Sequence, residues 1–239
     1  MIYFEKKNKY NNVILDIGKK IYMTKEEIIQ NKQVKSKKRV ADHGEVFTSE
    51  REVNAMLDLV KQETERIDSR FLEPACGTGN FLVEILRRKL AIVENRYKKS
   101  QLEYERYAII AISSIYGIDL LDDNIEECRH RLFEIFNKQY ISFYKSNYKI
   151  ECINSVKYIL EKNIIKGDAL SLKTQQNGNE SIVFSEWSAV NGSMIKRRDF
   201  MLEPQQQMSL FNDDNKPYSI PEPVREFPLT HFLKLANNE

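Results

Sequence analysis

FLEPACGTGNFL, residues 71–82, decides how this chain is read. An apolar pair runs into an acid and a proline. A small-residue turn with Gly77 and Gly79 follows, then at once an apolar, helix-friendly run. The pattern is strand, tight turn, helix. Two glycines let a backbone turn sharply and come close to a ligand, and the helix that follows presents N–H groups at its start. Dinucleotide folds use such a junction for pyrophosphate. Here Leu82 occupies the third glycine position of that fingerprint, and no G-K-[ST] is present.

Glu73 sharpens the reading. A carboxylate just before the turn repels phosphate and suits a ligand carrying a cation. S-adenosylmethionine, with its amino group and sulfonium, is such a ligand. Working outward, IYGIDL (115–120) reads as a second strand ending in Asp119, and NIIKGDAL (163–170) as a third strand and its exit, ending in Asp168. In an open parallel sheet, ligands sit beyond the carboxyl ends of the strands. There Asp119 can accept bonds from both ribose hydroxyls and Asp168 from an adenine amino group. The structural alternative for either acid is a helix cap or turn residue. Cys76 reads as a small residue filling the turn, since nothing beside it in sequence would lower its pKa.

Between these strands lie helical patterns. NFLVEILRRKL turns Phe81, Leu82, Ile85 and Leu86 inward. A second helix is expected from about Glu94 on through YAIIAISS, a crossover helix over DDNIEECRHRLFEIFNKQY, and an inserted helix from Tyr148 to about Lys162. Upstream, HGEVFTSEREVNAMLDLVKQ predicts a capped helix with Val53, Met56, Leu57 and Val60 on one face. SIVFSEW is a candidate fourth strand, in which Trp187 reads as a core or interface anchor. Alternating strands and helices make an α/β parallel-sheet protein. The expected organisation is an N-terminal helical extension (1–40), a core (41–200) and a proline-rich, weakly structured C-terminal tail (201–239).

Composition narrows the class. The chain has 239 residues, 41% hydrophobic and 30% charged, which suits a globular domain with a sizeable core. No run of eighteen apolar residues suggests a membrane span. MIYFEKKNKYNN lacks the apolar core of a signal peptide. Cys76, Cys128 and Cys152 are too scattered for a disulfide framework or zinc site. The expectation is a reduced, cytoplasmic, metal-free protein. The net charge of +2 argues for no particular partner. KSKKR (35–39), RRK (87–89) and KRR (196–198) could meet phosphates or form solvated faces.

These segments together resemble a family. FLEPACGTGNFL looks like the cofactor-binding motif of S-adenosylmethionine-dependent adenine-specific DNA methyltransferases of restriction–modification systems. HGEVFTSEREVNAML resembles the segment those enzymes place before it, and IYGIDL and IIKGDAL resemble the next two family motifs. The resemblance spans about residues 40–172. It implies a Rossmann-like class I methyltransferase core, DNA as partner, and S-adenosylmethionine as cofactor. The contacts it implies are Phe47 and Thr48, then Glu73, Pro74, Ala75, Cys76, Gly77, Gly79 and Asn80, then Asp119 and Leu120 near the ribose, and Asp168 and Ala169 near the adenine. Ser49 stands where the family has proline.

The resemblance breaks at the chemistry. Such enzymes localise the lone pair of a base amino group with a four-residue loop: asparagine or aspartate, two prolines and an aromatic. No NPPY or DPPY occurs here. The nearest string is NKPY, which makes Asn215, Pro217 and Tyr218 the catalytic candidates, with Lys216 in place of a proline. The chain therefore reads as half of a split methyltransferase whose partner supplies catalysis and target recognition. It reads alternatively as an inactive cofactor-fold binding module, or as an enzyme with an unfamiliar loop. In the tail, QMSLF resembles the peptide by which replication proteins dock on the bacterial sliding clamp, with Gln207 as polar anchor and Leu210 and Phe211 as pocket fillers.

Overall fold

The computed structural model describes residues 34–174, 180–202 and 222–237. The chain divides into two compact units, Met1–Glu50 and Arg51–Glu239. In the first, helix α1 (Lys37–His43) is capped by the Ser36 hydroxyl, which accepts from the Arg39 N–H, and ends at left-handed Gly44. The Arg39 guanidinium clasps both Glu45 oxygens at 2.6 and 2.7 Å.

The second unit holds the sheet. Helices α2 (Glu50–Asp58) and α3 (Lys61–Thr64) lead to strand β1 (Phe71–Glu73). Helices α4 (Asn80–Tyr97) and α5 (Gln101–Ser113) connect it to β2 (Ile115–Asp119). Helices α6 (Asp122–Tyr144) and α7 (Ile150–Asn163) connect β2 to β3 (Ile164–Lys166). The three strands pair in parallel, in the order β1-β2-β3, with Glu73 level with Gly117 and Asp119 level with Lys166. The mixed α/β class and the three strands expected from the sequence are present. Among the described residues no helix is long and apolar enough to cross a membrane.

Several boundaries differ from the sequence reading. The expected second helix does not run unbroken from Glu94. Instead α4 continues to Tyr97, with Lys98 as its C-cap, and Ser100 starts α5 by accepting from the Glu103 N–H. In α2 only Val53 and Leu57 are buried, while Met56 and Val60 face solvent. Strand β1 is not fully buried, because Leu72 is 46% exposed.

SIVFSEW is a strand, but not the fourth of the parallel sheet. It forms β4 (Val183–Ala189), antiparallel to β5 (Met194–Met201), in a separate sheet. Trp187 is buried there, and its indole N–H donates to the Asn163 side chain at 3.0 Å. The expected tail also gains structure. Residues Arg225–Glu226 (β6) and Thr230–His231 (β7) both pair with β5. A 3-10 turn, Phe232–Asn237, then buries Phe232 and Leu235 against α7. Two widely spaced apolar side chains anchor it, too few to make a periodic pattern in the sequence.

The arginines of RRK and all three cations of KRR pair with acids. Arg88 pairs with Asp58 and Glu84, and Arg87 with Glu84. Lys196 pairs with Glu226, Arg197 with Asp199, and Arg198 with Glu186. Sheet pairing brings Glu186 and Glu226 to the basic strand β5 from neighbouring strands. Its cations are thereby paired with acids within the sheet.

Lys89 is a separate case. It is fully buried, and its ammonium donates to the Ile67 and Ser69 carbonyls and the Ser114 hydroxyl. These bonds tie the entry of β1 to the entry of β2. Among the described residues no carboxylate pairs with it, and burial pulls its pKa down to about 7. Between that value and the free-lysine value near ~10.4, the unfolded chain binds a proton that the folded chain does not. Unfolding free energy from urea titrations is therefore expected to rise from pH 7 to pH 9, more in the wild type than in Lys89→Met. Equal slopes in the two proteins would contradict this account. At fixed pH, Lys89→Ala leaves three oxygens without their donor and is expected to cost about 1–3 kcal/mol or more.

Candidate functional site

The turn after β1 is built as its glycines suggest. Gly77 and Gly79 both have positive φ, 51° and 85°, in the left-handed region that other residues adopt at a cost. The Cys76 N–H donates to the Ile118 carbonyl at 2.8 Å, which draws the turn over the end of β2. The Gly79 N–H closes back on the Cys76 carbonyl at 2.8 Å, and Gly79 is the N-cap of α4 with no side-chain cap. The start of that helix, with the partial positive charge of its first turn, therefore lies at the turn. A Cβ on Gly79 would stand 2.5 Å from the Cys128 sulfur of α6. Glycine is required there for both conformation and space.

Three acids stand at the three strand ends. From the register, Asp119 lies two residues beyond the partner of Glu73, a step of roughly 7 Å along and 5 Å across the sheet, and Asp168 follows two residues after Lys166, the partner of Asp119, just past the end of β3. The result is a diagonal of separated carboxylates that suits an elongated ligand with several polar groups.

The three are not alike. Glu73 is half-buried, and desolvation raises its pKa, opposed by the Ala75 N–H at 3.4 Å. Asp119 is a structural clamp. Its Oδ2 accepts from the Gly77 N–H at 2.9 Å, and its Oδ1 accepts from the Leu121 N–H at 2.9 Å and the Asn124 amide at 3.1 Å. A carboxylate has about four acceptor sites, so one on Oδ2 remains for a ligand. Asp168 caps its own turn, accepting from the Leu170 N–H at 2.9 Å and the Ser171 hydroxyl at 2.8 Å. The Leu170 bond is the chief cause of its lowered pKa. For both aspartates the turn-residue alternative is thus realised in the structure, with capacity left over.

The other residues singled out by sequence divide clearly. Pro74 and Ala75 are exposed at the turn, and Asn80 opens α4. Leu120 is exposed directly after Asp119, and Ala169 lies directly after Asp168. Beyond it Leu170 is 97% exposed, so two solvent-facing leucines follow the second and third strands. Cys76 is buried, and its contact with the Cys128 thiol, with burial second, pushes its pKa up. It is a packing residue, as the sequence suggested, because a raised pKa leaves little thiolate. Phe47 and Thr48 belong to the first unit, where the Lys35 ammonium lies 5.9 Å from the Phe47 ring centroid. Asn215, Pro217 and Tyr218, and likewise Gln207, Leu210 and Phe211, lie outside the described residues.

Sequence reading missed three residues of α6. Asn124 bonds Asp119, Cys128 packs under Gly79, and Arg131 reaches the turn itself. Their spacing of four and then three residues puts them on one helical face. That spacing was legible, but only the folded turn shows what the face meets.

The site can therefore offer a glycine cradle, the N-terminus of a long helix, a desolvated carboxylate beside it, and apolar side chains at the neighbouring strand ends. No curated protein and no solved structure matches the chain. A family model described as "MmeI, DNA-methyltransferase domain" matches residues 28–183, which take in the glycine turn, all three parallel strands and all three acids. The chain belongs to this family of restriction–modification DNA methyltransferase domains.

Proposed function

We propose that the chain is the S-adenosylmethionine-binding part of a DNA methyltransferase that acts on the amino group of adenine, and that its core is of the Rossmann-like class I type. The observation that carries this reading is the diagonal of Glu73, Asp119 and Asp168 at the ends of three successive parallel strands, beside a left-handed glycine turn. Glu73 meets the cationic methionine end. The remaining Oδ2 site of Asp119 takes one ribose hydroxyl, and the second hydroxyl is taken by exchange with the Asn124 bond. Leu120 lies near the ribose, Ala169 lies near the adenine, and Asp168 accepts from its amino group.

Held by these residues, S-adenosylmethionine would supply its methyl group for direct transfer to the base nitrogen, its sulfur keeping the electron pair of the broken bond. The amino proton is then lost to solvent or to a base. Such a transfer depends on positioning and electrostatics, and the target base must leave the duplex. The 239 residues contain no NPPY or DPPY. The catalytic loop and the reading of the DNA target are therefore assigned to a partner subunit or to a region outside these residues. NKPY is the weaker assignment within the chain. Docking of QMSLF on a sliding clamp would bring the enzyme to newly replicated DNA.

Two results test the cofactor assignment. Asp168→Asn keeps an acceptor for the Leu170 N–H but replaces one acceptor oxygen with a donor. It is expected to weaken S-adenosylmethionine binding about tenfold or more, measured by equilibrium dialysis with the circular dichroism spectrum unchanged. Affinity equal to wild type would remove the adenine contact.

The second result concerns pH. Glu73 attracts the ligand's cation only when ionised, and its pKa is raised by burial. Affinity is therefore expected to fall as pH drops through a value above that of an ordinary glutamate. Glu73→Gln is expected to bind more weakly and to flatten that profile. A Gln variant that keeps the wild-type pH dependence would contradict the assignment.

A further inference from the structure

Helix α6 follows β2, yet it reaches back to the turn that follows β1. One Arg131 guanidinium nitrogen, Nη1, donates to the Thr78 carbonyl at 2.6 Å, to the Thr78 hydroxyl at 3.0 Å and to the Asn80 side-chain oxygen at 2.8 Å. All three acceptors lie within the sequence Thr78-Gly79-Asn80, at the bend from the turn into α4. One turn earlier on α6, Cys128 fills the space beneath Gly79 that a side chain would need. One turn earlier again, Asn124, itself buried, holds Asp119, whose other oxygen holds the Gly77 N–H. The stripe Asn124, Cys128 and Arg131 therefore touches the turn directly at Gly79 and Thr78–Asn80, and through Asp119 at Gly77.

Two physical points make this more than packing. A turn with two left-handed glycines has more backbone freedom to lose than any other residue pair would give it, so its ligand-ready shape needs external support. A guanidinium donating to a backbone carbonyl and two side-chain oxygens supplies charge-assisted bonds, which are stronger than neutral ones. We propose that Arg131 is a positioning residue: it locks the Thr78–Asn80 bend so that the turn and the start of α4 are preorganised for ligand, with Asn124 and Cys128 as the rest of the brace. Its importance to ligand binding rests on reading the turn as the cofactor cradle. Its hold on the turn does not.

Amide hydrogen exchange on the ligand-free full chain separates the two. In Arg131→Met, the Gly77 and Gly79 amides are expected to exchange at least about tenfold faster, while Ile118 of β2 keeps its wild-type rate. Arg131→Lys, which retains a shorter cationic donor, is expected to restore most of the protection. Unchanged glycine amides, equal acceleration at Ile118, or no recovery in the lysine variant would each overturn the proposal.

If Arg131→Met does not fold, Thr78→Val removes one acceptor with Arg131 in place. It is expected to accelerate the same two amides by a smaller factor, and no acceleration would overturn the proposal equally. S-adenosylmethionine affinity is measured separately on the same proteins. Wild-type binding that weakens in Arg131→Met and recovers in Arg131→Lys supports both readings. A wild type that does not bind refutes the cofactor reading and leaves the exchange result to decide the role of Arg131.

Discussion

Asp119 holds the strand ends together. Its carboxylate takes the Gly77 N–H from the turn after β1, and its main-chain carbonyl takes the Gly167 N–H from the exit of β3. The same carboxylate takes the Leu121 N–H and the Asn124 amide at the start of α6. One residue at the end of the middle strand thus fixes both neighbouring loops and the following helix. A carboxylate that accepts three N–H bonds is costly to replace, because each donor would lose its acceptor. In the proposed function, ligand recognition and architecture would share the same oxygens, and the geometry leaves one acceptor site uncommitted.

The helical layer carries buried polar contacts of its own. Glu105, fully buried on α5, accepts from Tyr140 of α6 at 2.6 Å, from Lys149 at 2.7 Å and from Gln101 at 2.8 Å. Arg129 of α6 donates to the carbonyls of Glu161 and Ile164 where α7 runs into β3. Lys89 joins the opposite ends of β1 and β2. Buried polar groups satisfied in this way fix relative positions more sharply than apolar packing alone. In this protein they tie the helical layer and the strand entries that flank the sheet.

Much of this was legible in the sequence, for identifiable reasons. Glycines with forced positive φ, acids at strand ends and long amphipathic helices are local features, so FLEPACGTGNFL, IYGIDL and IIKGDAL led to the sheet and its open end. What was not legible depends on pairing between distant segments. SIVFSEW has the composition of a strand, but nothing in it says that it pairs with MIKRRDFM in a second sheet rather than beside the first. KRR reads as a basic cluster until Glu186 and Glu226 arrive from other strands. Arg131 looks like any surface arginine of a long helix until the turn folds over it. Phe232 and Leu235 reveal a docked segment only through the α7 surface that covers them.

The central claim is that S-adenosylmethionine sits in the glycine turn. The most direct measurement is a two-dimensional amide spectrum of the chain labelled with nitrogen-15 on its eight glycines, recorded with and without the cofactor. The account predicts saturable shifts of the Gly77 and Gly79 resonances and none for Gly192, which lies in the turn between β4 and β5. A saturating cofactor concentration that leaves Gly77 and Gly79 unmoved in the folded protein would contradict it.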